Sequence, residues 1–115
     1  MLRPKRGEIW LVRFPFTDLV STKLRPALVW ATHGEDIIVL GIFSQIPAGT
    51  LRKTWVLITE QHPIFSRSGL KKTSLVKAEK IAVVHESIFQ KKLGVLPATF
   101  LAQVQEALKK ALLLS

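Results

Sequence analysis

The chain has no cysteine, no tyrosine and only one methionine among its 115 residues. Without cysteine it cannot form a disulfide scaffold, a thiolate metal site or a cysteine nucleophile. Acidic residues are also scarce, because eight Asp and Glu stand against seventeen Lys and Arg. The resulting net charge of +9 indicates a polyanionic partner, such as nucleic acid, an acidic protein or a membrane surface.

Long hydrophobic runs and sorting signals are missing as well. The longest uncharged stretch, residues 37–51, contains several polar residues and is shorter than the roughly 20 apolar residues of a membrane span. The first apolar run ends at Arg13 and is too short for a signal peptide. A hydrophobic content of 48% nevertheless supports a folded core. We therefore expect one cytoplasmic domain over residues 1–115, with no membrane association.

Short apolar segments separated by turns predict a sheet over the first two-thirds of the chain. The predicted strands are Glu8–Phe14, Pro26–Thr32, Asp36–Phe43, Thr54–Thr59 and Leu75–Val84. The connections are too short for crossover helices, so the sheet should be antiparallel and barrel-like. From Pro97 onwards the apolar residues follow a helical period, which predicts a C-terminal amphipathic helix after a short turn at residues 86–90.

Several kinds of site are not supported by the sequence. It contains no glycine-rich phosphate loop, its three histidines lie in unrelated segments, and only Glu35 and Asp36 are adjacent acids. We therefore expect neither a metal ion nor a cofactor. Polar and basic residues instead collect in three loops, residues 16–24, 46–53 and 61–73, which predicts a binding surface on a rigid scaffold.

Two residues are candidates for chemistry. Arg25 precedes Pro26, which favours an extended backbone at the mouth of a loop, where a guanidinium could bind a phosphate with two hydrogen bonds. The alternative is a solvated arginine at a strand end. Ser44 closes an apolar strand, where it either caps the strand or points into a site, and Gln45 beside it can both donate and accept hydrogen bonds.

A set of segments in a fixed order carries a family resemblance over nearly the whole chain. They are Arg6–Val12, Phe14–Asp18, Lys23–Val29, Phe43–Gln45, Gly69–Val76 and Leu93–Leu96. Together they resemble the MazF/PemK (Kid) toxins of bacterial type II toxin–antitoxin modules. The resemblance implies a mainly β (α+β) fold, a small SH3-like antiparallel barrel with a C-terminal helix, in a homodimer.

The resemblance also implies an activity and its partners. These toxins are metal-independent, sequence-specific endoribonucleases that cut single-stranded RNA, leaving a 2′,3′-cyclic phosphate and a 5′-hydroxyl. A cognate acidic antitoxin inhibits them and links them indirectly to operator DNA. By the same resemblance Arg25 is the catalytic arginine, Ser44 its hydroxyl partner and Gln45 a substrate contact. We predict further RNA contacts from the loops, at Thr17, Ser21, Thr22, Lys23, Arg52, Lys53, Lys71 and Lys72.

Departures from the family pattern leave two alternatives open. Leu24 stands where a basic residue or histidine often precedes the arginine, Arg13 replaces a common Asp, and no general base is identifiable. One alternative is a toxin of the same fold that binds DNA gyrase without cutting RNA. The other is a basic nucleic-acid-binding barrel that stacks bases on its tryptophans, although their apolar surroundings favour core packing.

Overall fold

The computed structural model describes residues 3–13 and 23–114. They form a six-stranded antiparallel sheet in the order β4-β5-β3-β2-β1-β6, followed by one α-helix. The elements are β1 Glu8–Arg13, β2 Leu24–His33, β3 Asp36–Phe43, β4 Trp55–Ile58, β5 Ser74–His85, β6 Phe89–Val95 and α1 Ala98–Ala111. The predicted antiparallel sheet and C-terminal helix are confirmed. Among these residues no helix has the length and apolar character needed to cross a membrane.

Strand β6 was not predicted from the sequence. It pairs with β1 at one edge of the sheet, and none of its residues is fully buried. The sequence of β6 does not alternate between apolar and polar residues, so this pattern does not predict a strand. The glycine at position 94 also disfavours one. The ladder with β1 is a tertiary contact, which overrides the weak local preference.

The sheet is not closed by hydrogen bonds, because β4 and β6 are both edges. The connection between β4 and β5 bridges part of this gap with a 3₁₀ turn, Phe65–Ser68, that contacts β6. Two glycines allow the backbones to meet there. A Cβ on Gly69 would lie 2.0 Å from the carbonyl oxygen of Leu93, and one on Gly94 would lie 2.2 Å from that of Arg67. The barrel is therefore completed by loop packing.

Each face of the sheet has its own buried cluster. Helix α1 covers the first cluster with Phe100, Val104, Ala107 and Leu108. The second cluster lies on the other face and comprises Trp10, Val12, Ala27, Val29, Ile37, Val39 and Val84. Because β2 and β3 contribute to both clusters, their apolar residues are not restricted to one side, as their sequences predicted.

Candidate functional site

A groove of about 510 Å³ opens where β2 begins and β3 ends. Both predicted catalytic residues line it: Arg25, the second residue of β2, and Ser44, the residue directly after β3. Gln45 lines it as well. The fold thus brings together residues that are nineteen positions apart in the chain, because β2 and β3 are hairpin partners joined by the turn at Gly34.

Arg25 lies in an interior strand of the sheet. Its position pairs with Val12 of β1, and the side chain is partly buried. The following residue, Pro26, is near the start of β2 and pairs with Leu11. The ladder between β2 and β3 begins two residues later, at Ala27, so β1 alone pairs with Arg25. This pairing still makes the backbone that carries the guanidinium more constrained than that of a residue in a loop.

Strand β5 adds two lysines that were not predicted from the sequence. Gly41 of β3 pairs with Lys77, but the preceding residue, Leu40, pairs with Ile81. Residues 78–80 therefore form an enlarged bulge, and bulges redirect side chains beside sites. Both Lys77, just before the bulge, and Lys80, at its end, line the groove.

The ammonium group of Lys77 is held between two aromatic rings. Its Nζ lies 4.7 Å from the ring centroid of Phe43 and 4.4 Å from that of Trp55. These are cation–π distances, at which the ring faces attract the charge and limit where the flexible side chain can place it. The groove therefore has a positive charge in a restricted position beside Arg25 and Ser44.

Glu79 in the bulge fixes the orientation of Trp55. Its Oε2 accepts hydrogen bonds from the Trp55 indole at 2.7 Å and from the Arg52 guanidinium at 3.1 Å. Burial raises the pKa of Glu79, but the hydrogen bonds from Trp55, Thr54 and Arg52 outweigh it and leave that pKa below its ordinary value. The carboxylate therefore stays charged, and its hydrogen bond positions the Trp55 ring that contacts the Lys77 ammonium group.

The other predicted RNA contacts are dispersed. Arg52 pairs with Glu79 and lies over the Trp55 ring at 5.2 Å. Lys53 lines a separate groove between β4 and α1. Lys71 and Lys72 are exposed before β5, although the Lys72 carbonyl accepts a 2.8 Å hydrogen bond from Ser74, which lines the candidate groove.

The remaining contacts belong to the connection between β1 and β2. Lys23 is exposed just before β2. Thr17, Ser21 and Thr22 lie outside the described residues. Of the predicted substrate contacts in the part of the chain that the structure describes, only Gln45 lines the groove.

The charge of the groove determines what it can bind. Its described lining contains three cationic side chains, Arg25, Lys77 and Lys80, and neither a carboxylate nor an imidazole. The hydroxyls of Ser44 and Ser74 and the amide of Gln45 add neutral hydrogen-bonding groups. Such a lining favours a phosphate-bearing ligand. Across residues 3–13 and 23–114, no three His, Asp or Glu side chains come together.

The fold is shared with solved bacterial toxins. An endoribonuclease from a mycobacterial species, in complex with its cognate antitoxin, superposes with a TM-score of 0.74 at 20% identity, covering 97% of each chain. The Mycobacterium tuberculosis toxin MazF-mt6 gives a TM-score of 0.71 at 18% identity over 91% of this chain and 95% of that one. MazF from Deinococcus radiodurans gives 0.69 at 21% identity over 97% and 98%. At these identities the likeness establishes the fold.

Sequence comparison identifies the family. No curated protein matches the chain. The family described as the PemK-like, MazF-like toxin of type II toxin–antitoxin systems matches residues 5–112, nearly the whole length. The match spans the sheet, the groove and the C-terminal helix together. The chain therefore belongs to the PemK-like, MazF-like toxins of type II toxin–antitoxin systems.

Proposed function

We propose that this toxin is a sequence-specific, metal-independent endoribonuclease that cleaves single-stranded RNA in the cytoplasm. The main support is the groove that holds Arg25, Ser44, Lys77 and Lys80 together without an acidic side chain in its described lining. Related folds in solved structures carry the name endoribonuclease, which agrees with this chemistry. A polyanion fits both the groove and the overall charge of +9.

RNA supplies the nucleophile for the proposed reaction. The 2′-oxygen forms a bond to the adjacent phosphorus while the bond from phosphorus to the 5′-oxygen breaks. The 2′-hydroxyl loses its proton to solvent and the departing oxygen takes one, so the products are a 2′,3′-cyclic phosphate and a 5′-hydroxyl. The protein has to orient the phosphate and stabilise the negative charge that develops on it.

The groove residues divide these tasks. The guanidinium of Arg25 can hold two phosphate oxygens at once, and Lys77 adds a localised charge from β5. The Ser44 hydroxyl is a hydrogen-bond donor for a phosphate oxygen, and the Gln45 amide is suited to a base or a sugar. Because this charge is in place before substrate arrives, less reorganisation is needed when the transition state forms.

Cleavage of a long RNA by the purified wild-type protein in excess EDTA tests the proposal. We expect fragments with cyclic phosphate ends and 5′-hydroxyl ends, cut at a defined sequence. Activity that disappears in EDTA and returns with magnesium would contradict the metal-free route. A folded protein that inhibits DNA gyrase but leaves RNA intact would support the gyrase-binding alternative, and binding without cleavage would support the nucleic-acid-binding one.

We also propose that an acidic antitoxin segment inhibits the enzyme by covering the charges of this groove. A solved structure of the same fold contains an endoribonuclease with its cognate antitoxin. Lys80 lines the groove, so Lys80→Ala should lower the affinity of the protein for both the antitoxin and RNA. Unchanged antitoxin affinity together with weaker RNA binding would place the inhibitory contact elsewhere.

A homodimer is the assembly that the surface supports. Val83 is 64% exposed and Leu113 is 88% exposed, and the apolar side chains of Ile81, Leu112 and Leu114 close to them in the chain are exposed as well. A two-fold interface would bury such surfaces in both copies. Light scattering should therefore give about twice the 12.9 kDa monomer mass at micromolar concentration, whereas a single 12.9 kDa species would contradict the dimer.

A further inference from the structure

A second groove of about 660 Å³ lies at β1 and β6, beside the buried cluster that contains Trp10 and Val12. Its lining includes Trp10 of β1 and Phe89 of β6. Phe89 pairs with Val12, and Val12 pairs on its other side with Arg25. Neighbouring strands are about 4.8 Å apart, so Phe89 and Arg25 are separated by about 10 Å across the sheet. An extended RNA strand bound at Arg25 covers that distance within a few nucleotides.

The second groove combines an aromatic ring with positive charge. Phe89 is partly buried and packs edge-to-face with Trp10, at 5.8 Å between ring centroids and 83° between planes. Trp10 is only 7% exposed, so it packs against Phe89 and has little surface of its own to offer a ligand. Phe89 is therefore the ring available for stacking with a base.

The lining contains three basic side chains, and two of them are paired with carboxylates. Arg3 is paired with Glu86 at 2.9 Å, and Lys92 is paired with the nearly buried Glu8 at 2.9 Å. Glu8 also accepts a hydrogen bond from the Trp10 indole, so one carboxylate positions both Lys92 and the ring beneath Phe89. Lys91 is exposed beside them. Single-stranded nucleic acids are bound by this combination of stacking surface and cations.

We infer that the groove of Phe89 and Lys91 is a subsite for a nucleotide flanking the cleaved phosphate. Phe89 stacks with the base, and Lys91 contacts the phosphate. The inference rests on the proposed ribonuclease activity, since the strand that fills the groove is the same RNA whose phosphate lies at Arg25. Its consequence is that cleavage efficiency depends on RNA length beyond the cleaved bond.

The test compares long and short RNAs that share one cleavage site mapped with the wild type. The variants are Phe89→Leu, which keeps apolar volume but removes the stacking face, and Lys91→Gln. For the long RNA we expect each to lower kcat/KM about 10-fold, the size of one lost stack or contact. For an RNA truncated to the cleaved bond they should match the wild type. Lys109→Gln on α1, at an exposed position far from both grooves, is the matched control.

Binding of a long RNA with a 2′-deoxy substitution at the cleavage site provides a readout that does not depend on cleavage. Both variants should bind it about 10-fold more weakly than the wild type does. Equal affinity of variants and wild type, or an equal loss of kcat/KM on long and short RNA, would overturn the subsite. Normal RNA affinity with weaker antitoxin binding would show instead that the groove takes an acidic peptide. A wild type that cuts no RNA would reject the proposed function, while the binding comparison would still decide on the groove.

Discussion

Replacing Lys77 by methionine removes the charge but keeps an unbranched side chain between Phe43 and Trp55. The two cation–π contacts, at 4.7 and 4.4 Å, are each worth about 0.5–1 kcal/mol near a surface. A methionine sulfur recovers about 0.3–1.5 kcal/mol against such rings. The free energy of unfolding should therefore fall by less than about 2 kcal/mol. Loss of one positioned charge from the transition state costs far more, about 2.7–4 kcal/mol or roughly 100- to 1,000-fold in rate.

The assay for Lys77→Met is single-turnover RNA cleavage, with thermal unfolding measured on the same sample. The large loss of rate should accompany a small change in stability. Lys109→Met is the control, because Lys109 lies on α1 in a pair with Glu106 and should change neither quantity much. If folded Lys77→Met cleaved RNA at the wild-type rate, the charge held between the two rings would have no part in the reaction.

Three further predictions concern stability and binding. Glu8→Gln should lower the free energy of unfolding by about 1–2 kcal/mol at neutral pH. Burial raises the pKa of Glu8, but the hydrogen bonds that it accepts from Trp10 and Lys92 outweigh burial and leave this pKa below its ordinary value. In acid denaturation, the stabilities of the variant and the wild type should therefore converge as the pH falls through that lowered pKa. Gly94→Ala should cost about 2–4 kcal/mol in chemical denaturation, since its Cβ would lie 2.2 Å from a carbonyl oxygen, whereas Gly34→Ala, in open space at φ 62°, should cost only about 1 kcal/mol. Lys80→Ala should flatten the log–log salt dependence of RNA affinity by about 0.7, and an unchanged slope would show that it contacts no phosphate.

The architecture was largely predictable because most strands are continuous apolar runs with clear turns. Asp36–Phe43 was predicted with the bounds that the structure shows, and the helix begins at Ala98, directly after Pro97. Strand β6 was not predictable from local pattern, since its exposed side chains carry no alternation. Its presence depends on a long-range ladder with β1 and on the close approach that Gly94 permits.

The site was predictable only in part. Arg25 and Ser44 lie in the groove because β2 and β3 are hairpin partners, and the turn at Gly34 predicted that hairpin. The register itself includes a shift between Val29 and Ala31 that was not predicted. Lys77 lines the groove from β5, directly before a bulge that no local sequence signal predicts. A single charge within the apolar run of residues 75–78 was the available hint. Arg52 was predicted to contact RNA because it is a basic residue in a loop. In the structure it forms an ion pair with Glu79 and a cation–π contact with Trp55, and these contacts could not be predicted from the sequence.

The most direct measurement of the central claim is single-turnover cleavage of one RNA, in excess EDTA, by the wild type and by Arg25→Ala. The account predicts that the wild type forms the cyclic phosphate product and that the variant, folded to the same extent, is about 100- to 1,000-fold slower. Arg25 is partly buried at a groove lining, so its loss should affect the reaction far more than the core. Cleavage by folded Arg25→Ala at the wild-type rate would contradict the assignment of this groove as the catalytic site.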